Sequence, residues 1–156
     1  MREIKAHVDA TVQSFPIALI VSQFNESITH ALKEGALHRL KELGFQSHDI
    51  TLVEVPGAVE IPFAANLLAQ KKQQHVIIAL GAIIRGETSH YDYVCQQVSQ
   101  GCQRVMLDHN IPVIFGVLTT ENDAQAWDRL GGRHGHKGKD AVDCALIMHS
   151  IKAQLA

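Results

Sequence analysis

Long apolar runs are missing from this chain. None approaches the ~20 residues that a membrane-spanning helix needs, so no membrane partner is expected. Residues 1–15, MREIKAHVDATVQSF, lack the apolar core of a signal peptide, which makes the cytoplasm the expected location. A basic excess is missing too: fourteen Lys and Arg stand against sixteen Asp and Glu, a net charge of −2, which argues against a nucleic-acid partner. Cysteine is scarce, with three in 156 residues. Cys95 and Cys102 stand seven apart, and on one helix their Cα atoms would lie ~10 Å from each other, beyond the ~7 Å that a disulfide tolerates. They are expected to pack as small apolar groups in a reducing compartment. No repeat, low-complexity tract or linker divides the chain, so one domain over residues 1–156 is expected. Aromatics are only 5%, yet both tyrosines fall in one stretch, GAIIRGETSHYDYVCQQ at 81–97.

What is present is alternation. Four short apolar segments read as buried strands: 17–22 (IALIVS), 50–55 (ITLVEV), 75–80 (HVIIAL) and 112–118 (PVIFGVL). Between them come helical stripes. The first carries Ile28, Leu32, Gly35, Ala36, Leu40 and Leu43, with Asn25 or Ser27 as its cap and Gly44 as its stop. The second runs through AVEIPFAANLLAQ, where Pro62 is tolerable only in the first turn. The third places Val94, Val98, Cys102, Val105 and Met106 on one face. A helix over NDAQAWDRL, a glycine-rich loop GGRHGHKG, and a last helix from about Asp140 with Ala141, Ala145, Met148 and Ile151 inward complete the chain.

Continuous apolar strands that alternate with helices predict a doubly wound three-layer α/β/α sandwich around a parallel sheet of about four strands. Ligands in such folds bind beyond the carboxyl ends of the strands. The polar clusters SQFNESIT, VPGAVEIP, RGETSHYDY and LTTEND each follow one strand, so all four should meet on one rim.

Several rim residues can carry chemistry. His90 can move protons near neutral pH, or simply sit at a helix start. Phe24 can stack on a planar ring, or staple the helix that it precedes. Asn25 can cap that helix or offer its amide to a ligand. The segment RLGGRHGHKGK at 129–139 holds Arg129, Arg133, Lys137 and Lys139, which suit an anion or, equally, a solvated basic loop. It is no P-loop: Arg133 stands where a glycine is required and Asp140 where Ser or Thr is. No G-x-G-x-x-G follows any strand, and Ser89 lies in no G-x-S-x-G elbow. His134 and His136 form H-x-H without a third ligand at a recognised spacing, so no metal is expected. The residues alone suggest a small phosphorylated or planar substrate and name no reaction.

Five segments, taken together, resemble the lumazine synthase family. They are FNESIT (24–29), VPGAVEIPFAA (55–65), ALGAIIRGETSHYDYVC (79–95), PVIFGVLTTEN (112–122) and QAWDRLGGRHGHKG (125–138), in order over nearly the whole chain. The resemblance implies condensation of 5-amino-6-(D-ribitylamino)uracil with 3,4-dihydroxy-2-butanone 4-phosphate. The products are 6,7-dimethyl-8-ribityllumazine, phosphate and water, and no metal or organic cofactor takes part. It implies His90 as the acid–base residue and a phosphate site of Gly86, Glu87, Thr88 and Arg129. Phe24, Asn25, Ile83, Phe115 and Lys137 would surround the pyrimidine, and Ala58, Val59 and Glu60 would hold the ribityl chain. It also implies a homopentamer whose sites are shared between neighbouring subunits, and a riboflavin synthase as a candidate partner. Tyr91 and Tyr93 are expected to pack, and Arg85 to balance charge. Three positions depart from the family pattern: His136 replaces an asparagine, Val59 stands where an aromatic is common, and Glu87 brings a carboxylate to the phosphate site. The rival reading is a relative that binds a lumazine or flavin without turnover. His90 and Arg129 argue against it, because a binder of the flat ring needs neither. A flavodoxin-like electron carrier would need a phosphate loop after the first strand, which is absent.

Overall fold

The computed structural model describes residues 1–156. Four parallel strands form the sheet: β1 (Ile17–Ser22), β2 (Ile50–Val55), β3 (Val76–Ile84) and β4 (Val113–Thr120), in the order β2-β1-β3-β4. Five helices accompany them: α1 (Glu26–Glu42), α2 (Ile61–Lys71), α3 (His90–His109), α4 (Asp123–Trp127) and α5 (Lys137–Leu155). A small antiparallel hairpin of β5 (Leu130–Gly132) and β6 (Gly135–His136) joins the last two. The expected three-layer sandwich is what forms.

The strands' alternation divides the core in two. Ile17, Leu19 and Val21 of β1 face α1 and α5, together with Val76, Ile78 and Leu80 of β3. Ala18 and Ile20 face the opposite layer with Ile77 and Ala79, where Val98 and Cys102 of α3 and Ile61 and Ala65 of α2 cover them. All six residues of β1 are buried, as a central strand covered on both faces must be. Burial pushes the Cys102 thiol up to about 11, and all three cysteines are free.

Five local readings need correction. The third strand runs to Ile84 rather than stopping at Leu80. Gly81 lets it continue, because a Cβ there would stand 2.9 Å from Ser22 Oγ and 3.3 Å from Ile61 Cδ1. Helix α4 ends at Trp127, short of Leu130. GGRHGHKG is no open loop: Gly131 (φ 95°) and Gly135 (φ 72°) turn it into the β5–β6 hairpin, and α5 begins at Lys137, ahead of Asp140. Met148 is exposed, because the inward stripe of α5 is Ala141, Val142, Ala145 and Leu146, with Ile151 half-buried.

Leu19 is fully buried at the centre of the sheet. Leu19→Ala should therefore lower unfolding stability by about 2–5 kcal/mol, seen as a lower denaturant midpoint at unchanged slope.

Candidate active site

Strand order reverses direction between β1 and β3, and the chain opens a cleft of about 480 Å³ beyond their carboxyl ends. Three loops build it, and their geometry follows from bonds between strand ends. Gln23 N–H donates to Val55 O at 2.8 Å and Phe24 N–H to Pro56 O at 3.0 Å, so the β1 loop continues the pairing with β2. Asn25 then turns into the left-handed region (φ 62°), a conformation that asparagine tolerates better than most residues. Its amide makes no cap bond; Nδ2 donates to Ala82 O at 2.9 Å and ties the same loop to β3. The β2 loop closes on itself: Gly57 N–H donates to Glu60 Oε2 at 2.9 Å, ahead of a 3-10 turn at Ala58–Glu60.

Phe24, Asn25, Ala58, Val59 and Glu60 line the cleft on one side. Ile83, Gly86, Thr88 and His90 line it on the other, where β3 runs into α3. Phe24 is 73% exposed, so it does not staple α1 and its ring is open to a ligand. His90 is the first residue of α3, exposed, with its backbone N–H on Thr88 Oγ1 at 3.3 Å. Asp92 N–H turns back to Ser89 O at 3.0 Å, and the helix dipole favours an anion at this end of α3. Glu87 lies between Gly86 and Thr88 yet does not line the cleft.

Within one chain the remaining candidates stand elsewhere. Phe115 lies on the edge strand β4, 37% exposed. Arg129 follows α4, where its Nη1 donates to Gln125 O at 2.8 Å. Lys137 opens α5, its N–H on Arg129 O at 2.8 Å. None of these three lines the cleft. His136 does not point at a metal: its Nδ1 accepts from Gly138 N–H at 3.1 Å, and no cluster of three His, Cys, Asp or Glu side chains in the chain could hold an ion.

Two tyrosines were expected to pack, and they differ. Tyr93 is 68% exposed. Tyr91 lines the cleft, half-buried, with burial as the main cause that pushes its phenol up. Arg85 lies 4.3 Å above the Tyr91 ring and reaches Glu121 Oε2 at 2.6 Å and Asp92 at 3.3 Å. It thereby joins the β4 loop to the start of α3, and hydrogen bonds to Glu121 and Asp92 hold its guanidinium more firmly protonated. Sequence reasoning left Tyr91 and Val94 out of the cleft. The signal was there in outline: His90 and Val94 are four apart, on the helix face that opens towards the cleft.

The Asn25 bond predicts an order of stabilities. Asn25→Gly loses the contact to Ala82 and keeps an easy left-handed backbone, whereas Asn25→Ala loses the contact and strains the backbone by a further roughly 1–2 kcal/mol. Urea unfolding should rank wild type above glycine above alanine.

Comparison with known proteins bears directly on this rim. The family described as 6,7-dimethyl-8-ribityllumazine synthase matches residues 14–153. Proteins from three strains of Coxiella burnetii, each named 6,7-dimethyl-8-ribityllumazine synthase, are 52% identical over 145 residues, covering 93% of this chain and 96% of their own length. The match takes in all four strands, every cleft-lining loop and the basic hairpin, so the chain belongs to the 6,7-dimethyl-8-ribityllumazine synthase family.

Proposed function

We propose that the protein condenses 5-amino-6-(D-ribitylamino)uracil with 3,4-dihydroxy-2-butanone 4-phosphate to give 6,7-dimethyl-8-ribityllumazine, the penultimate step of riboflavin formation. The observation that carries this reading is the family match over residues 14–153. The 5-amino group attacks the ketone carbon, and loss of one water gives an imine. Removal of the C3 proton then expels phosphate from C4 and leaves an enol, which becomes the C3 ketone. The ribitylamino nitrogen attacks that carbonyl, and loss of a second water closes the ring.

Each stage moves a proton, and His90 is the one imidazole on the cleft wall. It sits beside Thr88 and the first-turn amides of α3, where the phosphate would lie, so one turn serves both the leaving group and the proton transfers. The open face of Phe24 suits stacking on the pyrimidine, with Asn25 and Ile83 at its edge. Ala58, Val59 and Glu60 would follow the ribityl chain.

Arg129, Lys137 and Phe115 act, in this reading, on the cleft of a neighbouring subunit. A homopentamer satisfies that requirement, since a cyclic ring joins two different patches head to tail. No helix is long and apolar enough to cross a membrane, and a cytoplasmic pentamer that passes its product to a riboflavin synthase is the arrangement proposed.

Mixing the protein with both substrates and following lumazine fluorescence tests the reading; binding of the pyrimidine with no turnover would overturn it. His90→Ala should lower turnover by roughly 10²–10⁴ while the fold survives. Arg129→Ala should raise KM for the phosphorylated ketone about 10–100-fold, the loss of one charge-assisted contact, and spare pyrimidine affinity. Equal losses for both substrates would contradict the phosphate role.

A further inference from the structure

His136 occupies a place that neither its charge nor a metal explains. It pairs with Leu130 across the hairpin, and it is the N-cap of α5, with Nδ1 accepting from Gly138 N–H at 3.1 Å. That bond requires an unprotonated Nδ1, so the ring carries its hydrogen on Nε2. The Nδ1–Cε1–Nε2 side of the ring rests on Gly35 in the middle of α1. A Cβ at Gly35 would collide with His136 Cε1 and stand 2.6 Å from both ring nitrogens. A Cβ at Gly138 would collide with Leu32 O of α1 and come within 3.1 Å of Ala36 N and of His136 Cε1. Two glycines, one on each helix, therefore make a slot, and the imidazole fills it. At Gly138 the backbone of α1 comes close enough, through Leu32 O and Ala36 N, to leave no room for a side chain.

The consequences reach the rim at both ends. Helix α1 starts directly after Phe24 and Asn25, whose positions are fixed by Pro56 and Ala82. The next residue after His136 is Lys137, whose N–H is bonded to Arg129 O at 2.8 Å. We propose that His136 is a positioning residue: its ring, wedged between Gly35 and Gly138, sets the pose of the Arg129–Lys137 arm against the body of the domain. The inference rests on the reading of Arg129 as a phosphate ligand. The ring itself touches no substrate. It sets where the guanidinium and the ammonium stand when they meet the neighbouring cleft, and a small shift there disturbs a charged contact more than it disturbs stacking of the pyrimidine.

Glycine in a helix interior is normally worse than alanine, so Gly35→Ala would stabilise α1 if room existed. The wedge reverses that sign. Gly35→Ala should melt below wild type and raise KM for the phosphorylated ketone at least about tenfold, approaching the Arg129→Ala value, with pyrimidine affinity within about threefold of wild type. His136→Ser empties the slot and keeps an acceptor for Gly138 N–H, since serine is a good N-cap. In Gly35→Ala/His136→Ser the new methyl occupies the vacated space, and melting temperature and ketone KM should both return towards wild type. If Gly35→Ala does not fold alone, recovery of folding and of ketone KM in the double variant supports the wedge, and its misfolding overturns it. A Gly35→Ala protein that melts at or above wild type overturns the wedge whatever the assays show. One that melts lower with an unchanged ketone KM overturns the positioning role. If Arg129→Ala leaves ketone KM unchanged, the phosphate reading falls and the positioning role with it, while the melting series still decides the wedge.

Discussion

The rim depends on the position of β1. That strand is buried on both faces and paired on both edges, to β2 in register from Ile17↔Ile50 and to β3 from Ile17↔Val76. Its carboxyl end cannot move without its neighbours. The residues that follow it extend this constraint: Gln23 and Phe24 stay bonded to the β2 side, and Asn25 crosses to the β3 side. The cleft opens where the two neighbours' connections leave to opposite layers, α1 on one face and α2 and α3 on the other. A rigid strand end thus sets Phe24 opposite the turn that carries Thr88 and His90.

Charge on the rim is arranged around that turn. Arg85 is held by Glu121 and Asp92 and lies over Tyr91, so the cation nearest to His90 in sequence is engaged by two carboxylates and a ring. Within one chain this part of the cleft offers backbone amides and the Thr88 hydroxyl, and no Lys or Arg lines it. Under the proposed reaction a phosphate dianion in that cleft would be under-compensated by one chain alone, which is the physical reason to look for Arg129 on a neighbouring chain.

Much of this was legible in the sequence, for reasons that differ by element. β1 and β2 have the expected ends because Pro16 and Ser22, and Ile50 and Pro56, bracket short β-branched runs. β3 was read too short because Gly81 looks like a stop when it is a close approach to Ser22 and Ile61. The hairpin at 130–136 was hidden by its glycines, which serve turns here as readily as they serve loops. The early start of α5 was hidden because its cap is histidine, outside the usual Ser, Thr, Asp and Asn. In the site, residues directly after strands were easy to find; Tyr91 packs against the core as expected and lines the cleft as well, which an apolar stripe does not signal. Phe115, Arg129 and Lys137 lie away from the cleft of their own chain, so no single-chain reading joins them to it.

The shared site is therefore the central claim, and subunit mixing tests it most directly. One chain carries Phe24→Ala and His90→Ala, the other Arg129→Ala, and each alone assembles only defective sites. In co-refolded rings of equal amounts, about one interface in four joins the two intact halves, so activity should return to about a quarter of wild type. With the phosphorylated ketone held well below the KM of the Arg129→Ala parent, rings shown by mass to be mixed, yet no more active than the average of the two parents, would contradict a site built from two subunits.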